Sequence, residues 1–188
     1  MSEYGFETDA IHAGQEPDPT TGAVVVPIYA TSTYAQPAPG EHRGYEYSRT
    51  GNPTRTALAT ALSALEGATG GGSIITSSGM AATTLVGTML SPGDHVLLPN
   101  DAYGGTYRYF ARVLAGHGIE VSSTDLTDPG AVARDVRPNT EVVWVETPTN
   151  PLLRVSDIAA LADLAHGADA LLAVDNTFAT PYLQQPLA

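Results

Sequence analysis

The sequence contains no cysteine, which excludes disulfide frameworks, thiolate metal sites and cysteine nucleophiles. A cysteine-free chain fits a reducing compartment, and a cytoplasmic location is expected. Lysine is absent as well, because all eight basic residues are arginine. These 188 residues therefore hold no side-chain amine for nucleophilic attack. No apolar run approaches the length of a membrane span. The opening MSEYGFETDA is acidic and polar, without the basic-then-apolar order of a secretion signal. Positive charge is scarce: 20 acidic residues outweigh the basic ones, giving a formal net charge of −12 and a pI near 4.5. Such a surface repels phosphate backbones and anionic headgroups, so neither nucleic acid nor membrane is an expected partner. The histidines (His12, His42, His95, His117, His166) show no zinc-ligand spacing, and no metal site is expected.

What is present is a globular composition, 43% hydrophobic and 15% charged. Residues 1–52 are rich in Gly, Pro, Thr and Tyr and lack sustained periodicity. They read as an extended arm with turns at Pro17-Asp18-Pro19 and Pro37-Ala38-Pro39-Gly40, and tyrosines 29, 34, 45 and 47 argue that the arm packs on something. From Asn52 the grammar changes. Asn52 suits an N-cap, Pro53 the first helical position and Gly67 the stop, with Leu58, Ala61, Leu62 and Leu65 forming an apolar stripe. Residues 53–188 then alternate. Strands are expected at Ser73–Ser77, His95–Pro99, Ile119–Thr124, Glu141–Val145 and Ala170–Val174. Helices are expected at Met80–Leu90, Thr106–Gly116, Pro129–Val136 and Ser156–His166. Strands separated by helices predict an α/β fold with a mostly parallel sheet and ligands at the carboxyl ends of its strands. The glycine run Gly67–Gly72 follows a helix and precedes a strand, the reverse of a dinucleotide loop, and reads as a flexible turn.

Several short segments sit where chemistry is expected. In Thr76-Ser77-Ser78-Gly79-Met80 a β-like run passes into a helix, presenting free amides to an anion; an ordinary capped turn uses the same residues. Asp175 ends an apolar run predicted to be a fully buried strand. A carboxylate there needs a cationic partner, either a protonated heterocycle or an arginine. Asn150 lies in the Glu146-Thr147-Pro148-Thr149-Asn150-Pro151 loop, placed to hydrogen-bond a ring substituent, while Glu146 suits a structural role as well as a catalytic one. Tyr103, beside Gly104 and Gly105, suits stacking on a flat ring and proton transfer, or plain packing. Tyr47 and Arg49 stand on the arm before a capped helix, where arginine's planar fork suits phosphate or a surface ion pair.

Taken in order, YSRTGNPT, SSGMAA, DAYGGT, VETPTNP and VDNTFATPYLQQPLA resemble the Cys/Met-metabolism family of fold-type I pyridoxal 5'-phosphate (PLP) enzymes, in its cystathionine γ-synthase and γ-lyase branch. Ala10–Gly14 and Gly22–Thr33 match as well. The resemblance implies that Ser78, Gly79 and Met80 hold the cofactor phosphate. Tyr103 would stack on the ring and act as acid or base, Asn150 would touch the ring's phenolic oxygen, Asp175 would pair with the pyridinium nitrogen and Thr177 would lie close to the ring. Tyr47 and Arg49 would reach the phosphate of a neighbouring subunit, which implies a homo-oligomer, a dimer of dimers with shared active sites. The implied substrates are cystathionine, cysteine and homoserine esters. In the family the Schiff-base lysine lies shortly beyond the PLQQPLA-like segment, so the chain reads as the N-terminal half of a longer enzyme. A split subunit that relies on a lysine-bearing partner is the other reading. Gly105, where the methionine γ-lyase branch carries cysteine, aligns the chain with the cystathionine enzymes.

Overall fold

The computed structural model describes residues 4–68 and 72–188. The middle of the predicted glycine turn, 69–71, lies outside the described residues. Two compact units divide between Ile75 and Thr76: Met1–Ile75 with Leu187–Ala188, and Thr76–Pro186.

In the first unit, helices α1 (Phe6–His12) and α2 (Pro53–Leu65) are joined by an extended segment. Asn52 caps α2, its Oδ1 accepting the Thr54 N–H at 2.9 Å, with Pro53 at the helix start. Gly67 ends the helix at φ +64°, in the left-handed region that glycine enters at no steric cost. Helix α1 departs from the expected irregular arm. Its acidic first-turn residues, Glu7 and Asp9, suit a helix start, and the remainder is too short to show a period.

The second unit is a parallel sheet of β1 (His95–Pro99), β2 (Glu120–Thr124), β3 (Thr140–Glu146) and β4 (Leu171–Asp175), in the spatial order β2-β1-β3-β4. Helices α3 (Gly79–Gly87), α4 (Gly104–Arg108), α5 (Pro129–Asp135), α6 (Ile158–His166) and α7 (Thr180–Leu183) accompany it. Period-2 alternation sorts the core. Leu97, Val143 and Val145 pack with Val132 of α5 and Leu161 and Ala165 of α6. Val96, Leu98, Val142 and Trp144 pack with Ile119 and Phe110. All these side chains are buried.

Three expectations need correction. Ser73–Ser77 joins no ladder among the described residues, although its residues have strand propensity; an extended run becomes a strand only when its backbone groups find a partner. The β4 strand is not fully buried. Among the described residues it pairs only with β3, at one edge of the sheet, and Leu171 is 51% exposed. The single helix expected over 106–116 starts at Gly104 and changes pitch, from α4 to a π turn at Tyr109–Val113 and a 3-10 turn at Leu114–His117. The wider π turn accompanies Phe110 into the core beside Trp144, their ring centroids 5.6 Å apart.

Candidate active site

From β1 the chain leaves toward β2 on one side, and from β3 toward β4 on the other. The carboxyl ends of β1 and β3 therefore flank a topological switch point, the crevice where open α/β sheets bind ligands. A cavity of about 330 Å³ lies in this unit, lined by Ser78, Gly79, Met80, Thr83, Tyr103, Thr106, Glu146, Pro148, Asn150, Asp175, Thr177 and Phe178. Seven of the nine residues expected at the site, Ser78, Gly79, Met80, Tyr103, Asn150, Asp175 and Thr177, share this one space. Tyr47 and Arg49 belong to the other unit, where the Arg49 guanidinium stands 5.1 Å from the centroid of the Tyr47 ring.

Ser78 is the N-cap of α3, its Oγ accepting the Ala81 N–H at 3.1 Å. The hydroxyl oxygen is thus committed to the helix, while its proton remains free to donate. The Gly79 and Met80 amides carry no hydrogen bond among the described residues, as the first turn of a helix dictates. A Cβ on Gly79 would meet nothing within 4 Å, so open space adjoins those amides. Gly105 is tighter. A Cβ there would lie 2.5 Å from Tyr103 Cε1 and 2.8 Å from Met80 Sδ, so the missing side chain is what lets the tyrosine ring and the methionine sit together.

Asp175 is half-buried at the tip of β4. Its Oδ1 accepts the Thr177 N–H at 3.1 Å and the Thr177 hydroxyl, leaving Oδ2 without a hydrogen bond among the described residues. No arginine forms an ion pair with Asp175 among the described residues. Thr177 orients the carboxylate as well as lining the cavity.

Glu146 is buried and ties the loops together, with Oε2 accepting the Tyr103 N–H at 2.7 Å and Oε1 the Asn150 N–H at 2.9 Å. Burial pushes its carboxyl above the usual glutamate value; the two amides oppose that, while the charges of Asp175 and Asp101 add to it. A second fastening runs alongside. The Thr149 hydroxyl donates to Asp101 at 2.6 Å, and Arg154 reaches Asp101 at 3.9 Å and Asp125 at 3.3 Å.

Sequence reading missed Thr83, Thr106, Pro148 and Phe178 as lining residues. Thr83 follows Gly79 by one helical turn and donates to its carbonyl at 3.1 Å, a spacing the sequence does show. Thr106 closes the DAYGGT segment, and its buried hydroxyl has no partner among the described residues. No group of metal-ligating side chains occurs among the described residues, and no helix among them is long and apolar enough to cross a membrane.

The sequence model of the family described as Cys/Met metabolism PLP-dependent enzyme matches residues 7–188. The chain belongs to that family. A probable cystathionine γ-synthase from Herpetosiphon aurantiacus is 54% identical over 185 residues, covering 98% of this chain and 57% of the relative. A cystathionine β-lyase from Coxiella burnetii is 48% identical, covering 97% of this chain and 47% of the relative. The crystal structure of a cystathionine γ-lyase from Lactobacillus plantarum complexed with L-serine superposes with a TM-score of 0.92 at 47% identity, covering 98% of this chain and 48% of that one. The chain thus spans about half the length of the relatives it matches. Family and structural neighbours together identify the parallel sheet as that of PLP-dependent enzymes, and PLP as the family's cofactor.

Proposed function

We propose that this chain supplies the cofactor pocket of an enzyme that uses PLP for γ-replacement or γ-elimination in transsulfuration. The carrying observation is that Gly79 and Met80, whose amides are free, and Asp175, whose Oδ2 is unpartnered among the described residues, line one cavity. PLP is anionic at its phosphate and cationic at its protonated ring nitrogen, so the donor set fits both ends of it.

On this reading the α3 terminus, with the Ser78 hydroxyl, holds the phosphate against the helix dipole. Asp175, aimed by Thr177, pairs with the ring nitrogen. The Tyr103 ring covers one face, and its phenol holds or moves a proton near the departing substituent. The Asn150 side chain meets the ring oxygen. Bound PLP supplies the electron-withdrawing ring that stabilises negative charge developing beside the substrate amino group. Tyr47 and Arg49 serve the phosphate of a neighbouring subunit in a homo-oligomer, a dimer of dimers, placed in the cytoplasm. The amine that the reaction requires comes from outside these 188 residues, none of which is lysine. That same composition supports the second reading, a split or non-catalytic subunit that works beside a lysine-bearing chain.

Equilibrium dialysis against PLP tests the pocket. One saturable site is expected, with Asp175→Asn weakening it by about tenfold to a hundredfold, as befits loss of a charge-assisted bond. Equal binding by the variant would sink the assignment of Asp175. Substrate class is read with the lysine-bearing remainder supplied. Release of 2-oxobutyrate from cystathionine marks a lyase, and cystathionine formed from a homoserine ester and cysteine marks a synthase. Product from neither removes the transsulfuration reading.

A further inference from the structure

Glu146 is only 6% exposed, yet the proposed cofactor contacts give it no task. It ends β3 opposite Asp175 of β4 in the parallel register, and each of its carboxylate oxygens accepts one backbone N–H. We propose that Glu146 is a positioning residue, whose two oxygens clasp the amides of Tyr103 and Asn150 and so set the aromatic wall and the amide wall of the cavity from a single point. The clasp stands on the ligand-free geometry; only its consequence for cofactor affinity rests on the proposed function.

The chemistry explains why a carboxylate occupies this place. Two converging N–H donors need two acceptors, and an ionised carboxylate offers nothing else. A glutamine would offer one acceptor and turn an NH2 group, donor against donor, toward the second amide. A protonated glutamate has one hydroxyl and the same defect. Ionisation at this position is opposed from three directions: burial, Asp175 on the neighbouring strand and Asp101 in the loop after β1. Tyr103 is the other titratable group on the lining, and no arginine or lysine lies there. A cation held by Asp175 would offset part of that repulsion and favour the ionised clasp. By linkage, a clasp already closed favours the cation. The Thr149 to Asp101 bond joins the same loops, so loss of Glu146 loosens the walls without detaching them.

The test is amide hydrogen exchange on the ligand-free, isotope-labelled chain. In Glu146→Gln the amide left facing the new NH2 group, that of Tyr103 or of Asn150, is expected to lose protection by about tenfold or more, one charge-assisted bond's worth, while the Val143 and Val145 amides within β3 keep theirs. PLP affinity measured beside it should fall by a similar factor. Unchanged protection at both amides, or a loss shared equally along β3, overturns the proposal. Should the variant not fold, acid titration of the wild-type chain decides. The Glu146 carboxyl carbon and both amide signals should then move together, with one midpoint above the ordinary glutamate range, and separate midpoints or unresponsive amides overturn it. A wild-type chain that shows the clasp but binds no PLP would refute the proposed function and leave the clasp standing.

Discussion

The two units spend their apolar residues differently. Thr76–Pro186 builds two buried clusters on opposite faces of a sheet, where Leu97, Val143 and Phe110 are inaccessible to water. In Met1–Ile75 no described residue is buried. Val24, Ile28 and Ile74 stand 76%, 86% and 75% exposed, and even Leu58 on the stripe of α2 is 48% exposed. Polar bonds hold this unit instead. The Asn52 side chain donates to the Tyr29 carbonyl and to Ser48 while capping α2, Thr54 bridges Pro27 and Tyr29, and the Ser48 hydroxyl donates to the Thr31 carbonyl. An apolar pattern specifies a core only where the same chain supplies the opposite wall; elsewhere, capping and turn chemistry carry the order.

Substitutions sharpen that contrast. The largest effect belongs to Leu97→Ala, expected to cost about 3 kcal/mol in urea unfolding because it empties the centre of a closed cluster. A cost below that of a surface change would break the comparison. Asn52→Ala comes next, at about 2 kcal/mol, since it removes a cap and two further bonds. Asp157→Ala, which removes only the cap of α6, should cost about 1 kcal/mol, and a reversed order would deny that side-chain polar bonds organise the first unit. Leu58→Ala should be the smallest, within about 0.5 kcal/mol.

A pH dependence tests the second unit from within. His95 is fully buried, its ring nitrogens 2.7 Å from the hydroxyls of Thr140 and Ser122. Burial, aided by the Arg137 charge, holds its pKa below the usual 6.5. The unfolded chain therefore binds that proton more readily than the folded one. Stability is present above 6.5 and falls as pH drops from there toward the folded value. Glu146 acts in the opposite sense: its raised folded pKa means that acidification toward the ordinary glutamate value restores stability which ionisation had removed. Urea midpoints followed from neutral to mildly acid pH should decline in the wild type and decline less in His95→Gln. Parallel slopes in the two proteins would contradict the assignment to His95.

Much of the second unit was legible in the sequence, since four of the five expected strands join the sheet and the near-continuous apolar runs in HVLLP and TEVVWVE suit parallel strands buried on both faces. Ser73–Ser77 misled because propensity does not reveal whether a ladder partner exists, and β4 misled because LLAVD reads the same at an edge as at a centre. Residue by residue, the site was legible only as separate loops. The resemblance carried by the order of the motifs set Ser78, Tyr103, Asn150 and Asp175 around one cofactor, and the strand order, which no local pattern encodes, is what brings them to one cavity. The fastening by Glu146 was hidden for the same reason, because its partners are backbone amides 43 and 4 residues away.

The most direct measurement is an amide-resolved titration of the chain with PLP, following Gly79 and Met80 together with the Asp175 carboxyl carbon. One molecule gripped at both ends makes all three signals move along a single binding curve, and pyridoxal without its phosphate leaves the Gly79 and Met80 amides unmoved. Curves with different midpoints, or the same amide shifts without the phosphate, would contradict the account.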